Sequence, residues 1–277
     1  MPTDDTPETI IRCSSLPEYP DCPRRWAART LGQEIKDQGY VLRRRARMIG
    51  AIVGTGAHAG AAYTMEEKRK TGTIGNKTEC EHRALETMNQ EVEGEIIWDQ
   101  VTPAQPHAEK QILRLVWSYR DHWAPNLKPK SVEQRLDARH PTGLKISGQQ
   151  DLVVEDPAKL RDYKTGRVRR ANGAQYGGYT RILRSHGQPV EAICEDYHKR
   201  MPLTKVQEPP VEIVYDVAAC EQQTEIIIRS IARDLAEFRE SGDTASFVAN
   251  PRSMLCSNKY CGAWGTPWCT AHSPAED

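Results

Sequence analysis

The sequence predicts an α/β fold, a mixed central sheet flanked by helices, and three observations carry that expectation. Alternating, β-rich runs fall at about 131–138, 143–154 and 159–164, with two more at 190–198 and 211–216. Runs of helical periodicity lie before, between and after them, near 38–70, 106–123, 171–186 and 218–240. Cysteines gather at the two ends of the chain, Cys22 at one and Cys256, Cys261 and Cys269 at the other, which suggests that the ends meet at a metal.

Each element has a local reason. Residues 1–10 are acidic at the start and expected to be disordered. A helix opens near Pro23, where a missing N–H costs nothing, and presents Trp26 and Leu31. The Gly/Thr-rich stretch Thr71 to Asn76 and the stretch Val101 to His107 read as loops within a mainly helical half. His140-Pro141-Thr142-Gly143 turns the first two strands into a hairpin, and Ser185-His186-Gly187 ends the following helix. A Pro-containing loop from Met201 to Pro210 separates the last two strands. The expected organisation is one domain over 11–277: a mainly helical part to 125, a sheet-containing catalytic core over 126–217, and a C-terminal helix with a cysteine-rich region over 218–277.

The chemistry-bearing string is Ser147-Gly148-Gln149-Gln150-Asp151, followed by Leu160-Arg161-Asp162-Tyr163-Lys164-Thr165-Gly166. Residues i and i+2 of a strand share a face, so Asp162 and Lys164 stand together, with Asp151 from the neighbouring strand at the same sheet edge. Two carboxylates are hard oxygen ligands suited to Mg²⁺ or Mn²⁺, and an adjacent amine can orient or help deprotonate an attacking water. Taken alone, Asp-x-Lys is commonly a solvated strand edge. Here the Gly-x-x-Asp ahead of it and the Thr-Gly behind it make the string closely similar to the second motif of RecB-like nucleases of the PD-(D/E)XK superfamily.

The resemblance extends along the chain in the family's order. Gly54-Thr55-Gly56-Ala57-His58 looks like the upstream Gly-x-x-x-His element, and Gln175-Tyr176-Gly177-Gly178-Tyr179 like the downstream Gln-x-x-x-Tyr helix, with Gln175 and Tyr179 on one face at i and i+4. Glu133 resembles, more softly, the glutamate often found on the strand before the Asp hairpin. The resemblance implies a restriction-endonuclease-like core in which His58, Asp151, Asp162 and the carbonyl of Tyr163 hold the metal. Asp151, Asp162 and Lys164 would be catalytic, and Gln175 and Tyr179 would organise substrate. A nitrogen ligand tilts preference towards Mn²⁺.

Cys22-Pro23-Arg24-Arg25-Trp26 resembles the Cys-Pro-basic-aromatic signature of the iron-sulfur subset of these nucleases, which includes the CRISPR-associated RecB-like exonucleases. That likeness implies a [4Fe-4S] cluster on Cys22, Cys256, Cys261 and Cys269 that staples the chain ends together. The C-terminal spacing, C-x4-C-x7-C, is looser than the family's. Four thiolates also make a tetrahedral Zn²⁺ site, and Cys13 is an alternative to Cys22 as the fourth ligand. Cys80, Cys194 and Cys220 read as buried small hydrophobes.

Lys+Arg and Asp+Glu each number 38, so net charge is formally zero and distribution matters more than the sum. From Lys159 to Arg170 the positive residues Lys159, Arg161, Lys164, Arg167, Arg169 and Arg170 face only Asp162, which makes Arg167, Arg169 and Arg170 candidate phosphate contacts. Arg43, Arg44, Arg45 and Arg47 form a second basic run, and Tyr176, Tyr179 and Trp117 are candidate base-stacking residues with an ordinary core reading beside it. No apolar run approaches the ~20 residues that cross a bilayer. Eight cysteines without a secretory leader point to the cytoplasm. The implied activity is metal-dependent DNA exonuclease action in recombination, repair or phage DNA processing, with DNA as partner and a protein partner in a recombination or CRISPR complex. The alternative is an iron-sulfur DNA-binding or CRISPR-adaptation accessory factor with little or no nuclease activity.

Overall fold

The computed structural model describes residues 8–92, 94–155 and 157–272. Its elements in order are β1 (Ile10–Arg12), α1 (Pro23–Thr30), α2 (Gly32–Asp37), β2 (Arg47–Met48), α3 (Ile49–Thr71), α4 (Lys77–Glu91), β3 (Ile96–Ile97), α5 (Gln105–His122), β4 (Pro129–Arg139), β5 (Lys145–Val154), β6 (Lys159–Gly166), α6 (Gly173–Ser185), β7 (Ala192–Lys199), β8 (Val211–Tyr215) and α7 (Val217–Ser241). The main sheet runs β1-β5-β6-β7-β8 with β4 on the other edge of β5. β4–β5, β5–β6 and β7–β8 are antiparallel, whereas β1–β5 and β6–β7 are parallel, so the sheet is mixed as expected.

Helices cover both faces. On one, α6, α7 and the N-terminal segment bury Trp26, Tyr176, Ile228 and Phe238 against Ile146, Leu160 and Ile193. On the other, α3, α4 and α5 pack Ile52, Ala84, Ile112 and Val116 against Leu152 and Tyr163. α3 approaches α5 closely because Gly56 and Gly60 carry no Cβ; one added there would meet Ile112 and Val116 at 2.8 and 2.7 Å. Asp216 caps α7 by accepting the Ala219 N–H at 2.6 Å.

The hairpin turn forms as read: Gly143, at φ 88°, donates to His140 O at 2.9 Å. Two expectations differ from the structure, and one helix was unforeseen. The disordered start lies outside the described residues only as far as residue 7; Ile10 already pairs with Lys145, because a buried Ile11 anchors β1 in the core. The helix expected from residue 38 begins at Ile49. The Arg-rich stretch before it forms no regular element up to β2 and is bound to the C-terminal region, with Arg43 N donating to Gly262 O at 2.9 Å and Arg45 Nη1 to Tyr260 O at 3.1 Å. α4 was not anticipated, although Cys80, Ala84 and Met88 recur at the helical interval and Asn76 caps it.

Candidate active site

One edge of β5 has two partners. β1 pairs with residues 145–147 and β6 with 152–154, so the edge between them is left unpaired, and Asp151 sits there. Its Oδ2 accepts the Tyr163 backbone N–H at 2.8 Å, replacing the missing ladder bond. His58, delivered by α3, places Nδ1 3.4 Å from the same oxygen. Glu133 of β4 completes a group: one ligand atom each from His58, Glu133 and Asp151 lie within 4.8 Å of one another. Glu133 has φ 48°, left-handed for a non-glycine residue and interrupting the β4–β5 pairing opposite Asp151. Such strain persists where surroundings over-determine it, and Gln149 Nε2 holds the Glu133 carboxylate at 2.6 Å.

Asp162 is 1% exposed and stands beside this group. Lys164 Nζ lies 2.7 Å from its Oδ2, Gln175 Nε2 donates to Oδ1 at 3.2 Å, and Tyr176 OH donates to Oδ2 at 3.2 Å. The predicted helix face therefore reaches the carboxylate. Gln175 also donates to Tyr179 OH at 2.8 Å; both residues are buried at 4% exposure and brace Asp162, while Gln175 still lines the groove that reaches Lys164 and Tyr179 lines the one beside Ser147. Tyr176 OH also bonds Glu195 at 2.6 Å, and with no exposure it belongs to the core, not to a stacking platform. Tyr163 places its ring 5.2 Å from His58 and its hydroxyl 2.9 Å from His198 Nδ1.

Electrostatics follow from crowding. Burial pushes Glu133 up to about 7 and Asp162 up to about 6, with the Asp151 charge adding to each and, at Asp162, Lys164 opposing. Burial also works against the Asp151 charge, but His58 and Lys164 outweigh it and hold that carboxyl below its usual range. Burial disfavours the His58 imidazolium, yet Asp151 raises it to about 9. Lys164 is likewise held above its ordinary value, against burial, by Asp162 and Asp151. Acidic and basic groups are thus stored as compensated pairs, an arrangement in which a divalent cation can replace protons.

Of the expected phosphate contacts, Arg167 and Arg170 line a groove that reaches Lys164, along with Arg25, Arg29, Arg45 and Tyr260. Arg169 lines it too but is committed elsewhere: its Nε donates to Glu195 at 2.9 Å and its Nη2 to Tyr215 OH at 2.7 Å, fastening the loop after β6. Trp117 lies on α5, where its Nε1 donates to Glu81 at 2.6 Å. Sequence reasoning missed the bidentate Arg161–Asp196 pair beneath the site, at 3.0 and 2.5 Å. Nothing in the sequence marks it beyond a charge in each of two buried strands.

Cys22, Cys256, Cys261 and Cys269 line a single cavity together with Arg25. Cys13 lies elsewhere, fully buried against Gly178 of α6. Cys80, Cys194 and Cys220 are buried, as expected.

Residues 13–269 match the family described as the PD-(D/E)XK nuclease superfamily, and the chain belongs to it. It is a member of a class of hydrolytic nucleases built on this core. The fold is similar to that of a candidate exonuclease from Eubacterium rectale, at 10% identity and TM-score 0.59, covering 90% of this chain and 87% of that one. A further solved chain, SSO0001, aligns over 72% of this chain and 83% of its own at 12% identity and TM-score 0.28. No curated protein matches the sequence. Among the described residues no helix is long and apolar enough to cross a membrane.

Proposed function

We propose that the protein is a metal-dependent DNA exonuclease. The observation that carries this reading is the convergence of His58, Glu133 and Asp151 beside the Asp162–Lys164 pair, at the unpaired edge of β5. His58, Glu133 and Asp151 would hold Mg²⁺ or Mn²⁺, with Asp162 and the Tyr163 carbonyl as further ligands. The donor set fits: carboxylate oxygens satisfy either ion, and one imidazole favours Mn²⁺. Bound there, the ion supplies charge stabilisation for in-line displacement at phosphorus and activates water.

The chain's own residues do the rest. Lys164, held protonated by its two carboxylate neighbours, orients water and offsets charge developing on the phosphate rather than serving as a neutral base. Gln175 and Tyr176 fix the rotamer of Asp162, and Tyr179 fixes Gln175. Arg167 and Arg170 attract the substrate backbone along the groove. A setting in recombination, repair or phage DNA processing, and a protein partner in a recombination or CRISPR complex, rest on the RecB-like motif order alone.

The four cysteines that line one cavity would hold a [4Fe-4S] cluster, a reading supported by the likeness of Cys22-Pro23-Arg24-Arg25-Trp26 to the iron-sulfur subset of these nucleases. Four thiolates also suit tetrahedral Zn²⁺, the alternative occupant.

End-labelled linear and closed circular DNA, incubated with the purified chain and Mn²⁺, test the proposal. Release of nucleotides from linear DNA alone is expected. Equal attack on circles would make the enzyme an endonuclease, and no cleavage of either would overturn the nuclease reading. Iron and acid-labile sulfide in the same preparation should approach four of each, and zinc in their place would remove the cluster.

A further inference from the structure

The face of β5 that carries Asp151 also carries Gln149 and Ser147, the alternate, less buried positions of that strand. Across the hairpin, Arg135 and Asp137 of β4 pair with Gln149 and Ser147, and Glu133 falls at the interruption opposite Asp151. β1 then adds Arg12 beside Ser147. A polar row therefore leads from the metal-ligating group along the sheet to a groove lined by Arg12, Ser14, Arg135 and Ser147. Its continuation, also lined by Arg29, adjoins the groove that reaches Lys164: Ser14 and Arg29 line both.

Three facts point to a ligand of repeated negative charge. Arg12 and Arg135 are exposed and form no ion pair among the described residues, while the nearby Asp137 lies 3.4 Å from Lys145. Successive same-face positions on a strand are about 6.8 Å apart, a step close to that between phosphates of an extended strand. The row is also wired to the site: Arg135 Nη2 donates to Gln149 Oε1 at 2.9 Å, and Gln149 Nε2 donates to Glu133 Oε2 at 2.6 Å.

We propose that Arg12, Ser14, Arg135 and Ser147 form a phosphate-binding track for one strand of DNA, continuing the path of the substrate past the carboxylates along the β4–β5 face. The track is one cross-strand pair wide, which suits a single backbone. It deepens the nuclease reading and rests on it for the register of the strand over the metal, but its binding chemistry is measurable without cleavage.

The test is fluorescence anisotropy with a labelled single-stranded oligonucleotide in EDTA across a salt series, with Mn²⁺-dependent cleavage measured separately. Each lost phosphate contact lowers the slope of log K against log salt by about 0.7, so Arg12→Ala/Arg135→Ala should lower it by about 1.4 and weaken binding roughly tenfold or more at about 50 mM salt. Lys36→Ala/Lys110→Ala, an equal charge change at exposed positions off the track, should leave the slope unchanged, and Arg12→Lys/Arg135→Lys should retain it. The track is overturned if the two alanine pairs behave alike, or if the wild-type chain binds no DNA. Wild-type binding with the expected slopes but no cleavage under Mn²⁺ would leave the track standing and sink the nuclease reading instead.

Discussion

At the scale of single residues, His58 shows how the site is poised. Its folded value of about 9 lies above the ordinary 6.5, so the metal-free His58–Asp151 pair adds stability that is fully present below about pH 6.5 and lost as pH rises towards 9. A metal ligand must be neutral imidazole, so the cation competes with that proton. Apparent Mn²⁺ affinity should therefore climb across the same interval, by up to about tenfold per pH unit for one proton released, as titration calorimetry at pH 6.5, 7.5 and 8.5 would read. A flat profile would place the cation away from His58. The residues of this site were largely legible beforehand: His58, Asp151, Asp162, Lys164 and Gln175 converge where the motif order put them. Glu133 was the soft match, because its membership depends on a φ of 48° that no residue type announces. The burial of Gln175 and Tyr179 was equally unreadable, since helical spacing fixes a shared face but not what covers it.

At the scale of elements, β6 and β7 are pinned below the site by the Arg161–Asp196 pair, with Arg161 also 2.7 Å from Glu212 and stacked on Trp123. Both partners are almost wholly buried, so removing one strands the other's charge in the interior. Arg161→Met alone should cost about 3–5 kcal/mol in urea unfolding, whereas Arg161→Met/Asp196→Leu should restore most of that loss. Similar losses in the single and double variants would mean that packing, not charge, sets the cost. The strands and the long helices after residue 105 were legible because alternation and helical periodicity are local signals. α4 was not, since its charged surface masks a narrow Cys80–Ala84–Met88 stripe. The Arg43–Arg45 segment misled for the opposite reason: good helix formers there are drawn into contacts with Tyr260 and Gly262, over 200 residues away, which no local pattern encodes.

At the scale of the whole molecule, the N- and C-terminal regions wall the groove beside the candidate site. Arg25, three residues after Cys22, lines both the four-cysteine cavity and the groove that reaches Lys164, and it donates to Ser253 at 2.8 Å and Asp21 at 2.6 Å. Met254, Leu255 and Tyr260, which flank Cys256 and Cys261, form another part of the groove wall. In the proposed function, α3 and the sheet would supply the cation ligands His58, Glu133 and Asp151, and the N- and C-terminal regions would form one bank of the substrate path. The proposed activity requires His58, Glu133 and Asp151 at the edge of β5 to hold a divalent cation that would support DNA hydrolysis, with Asp162 and Lys164 beside it. The most direct measurement is Mn²⁺-dependent digestion of linear DNA by wild-type, Asp162→Ala and Lys164→Ala chains, with circular dichroism and visible absorption recorded on the same samples. The account predicts that both variants lose cleavage by a factor of about 10³ or more while keeping the fold and the cysteine-bound chromophore. Full activity in either variant, with the fold intact, would contradict it.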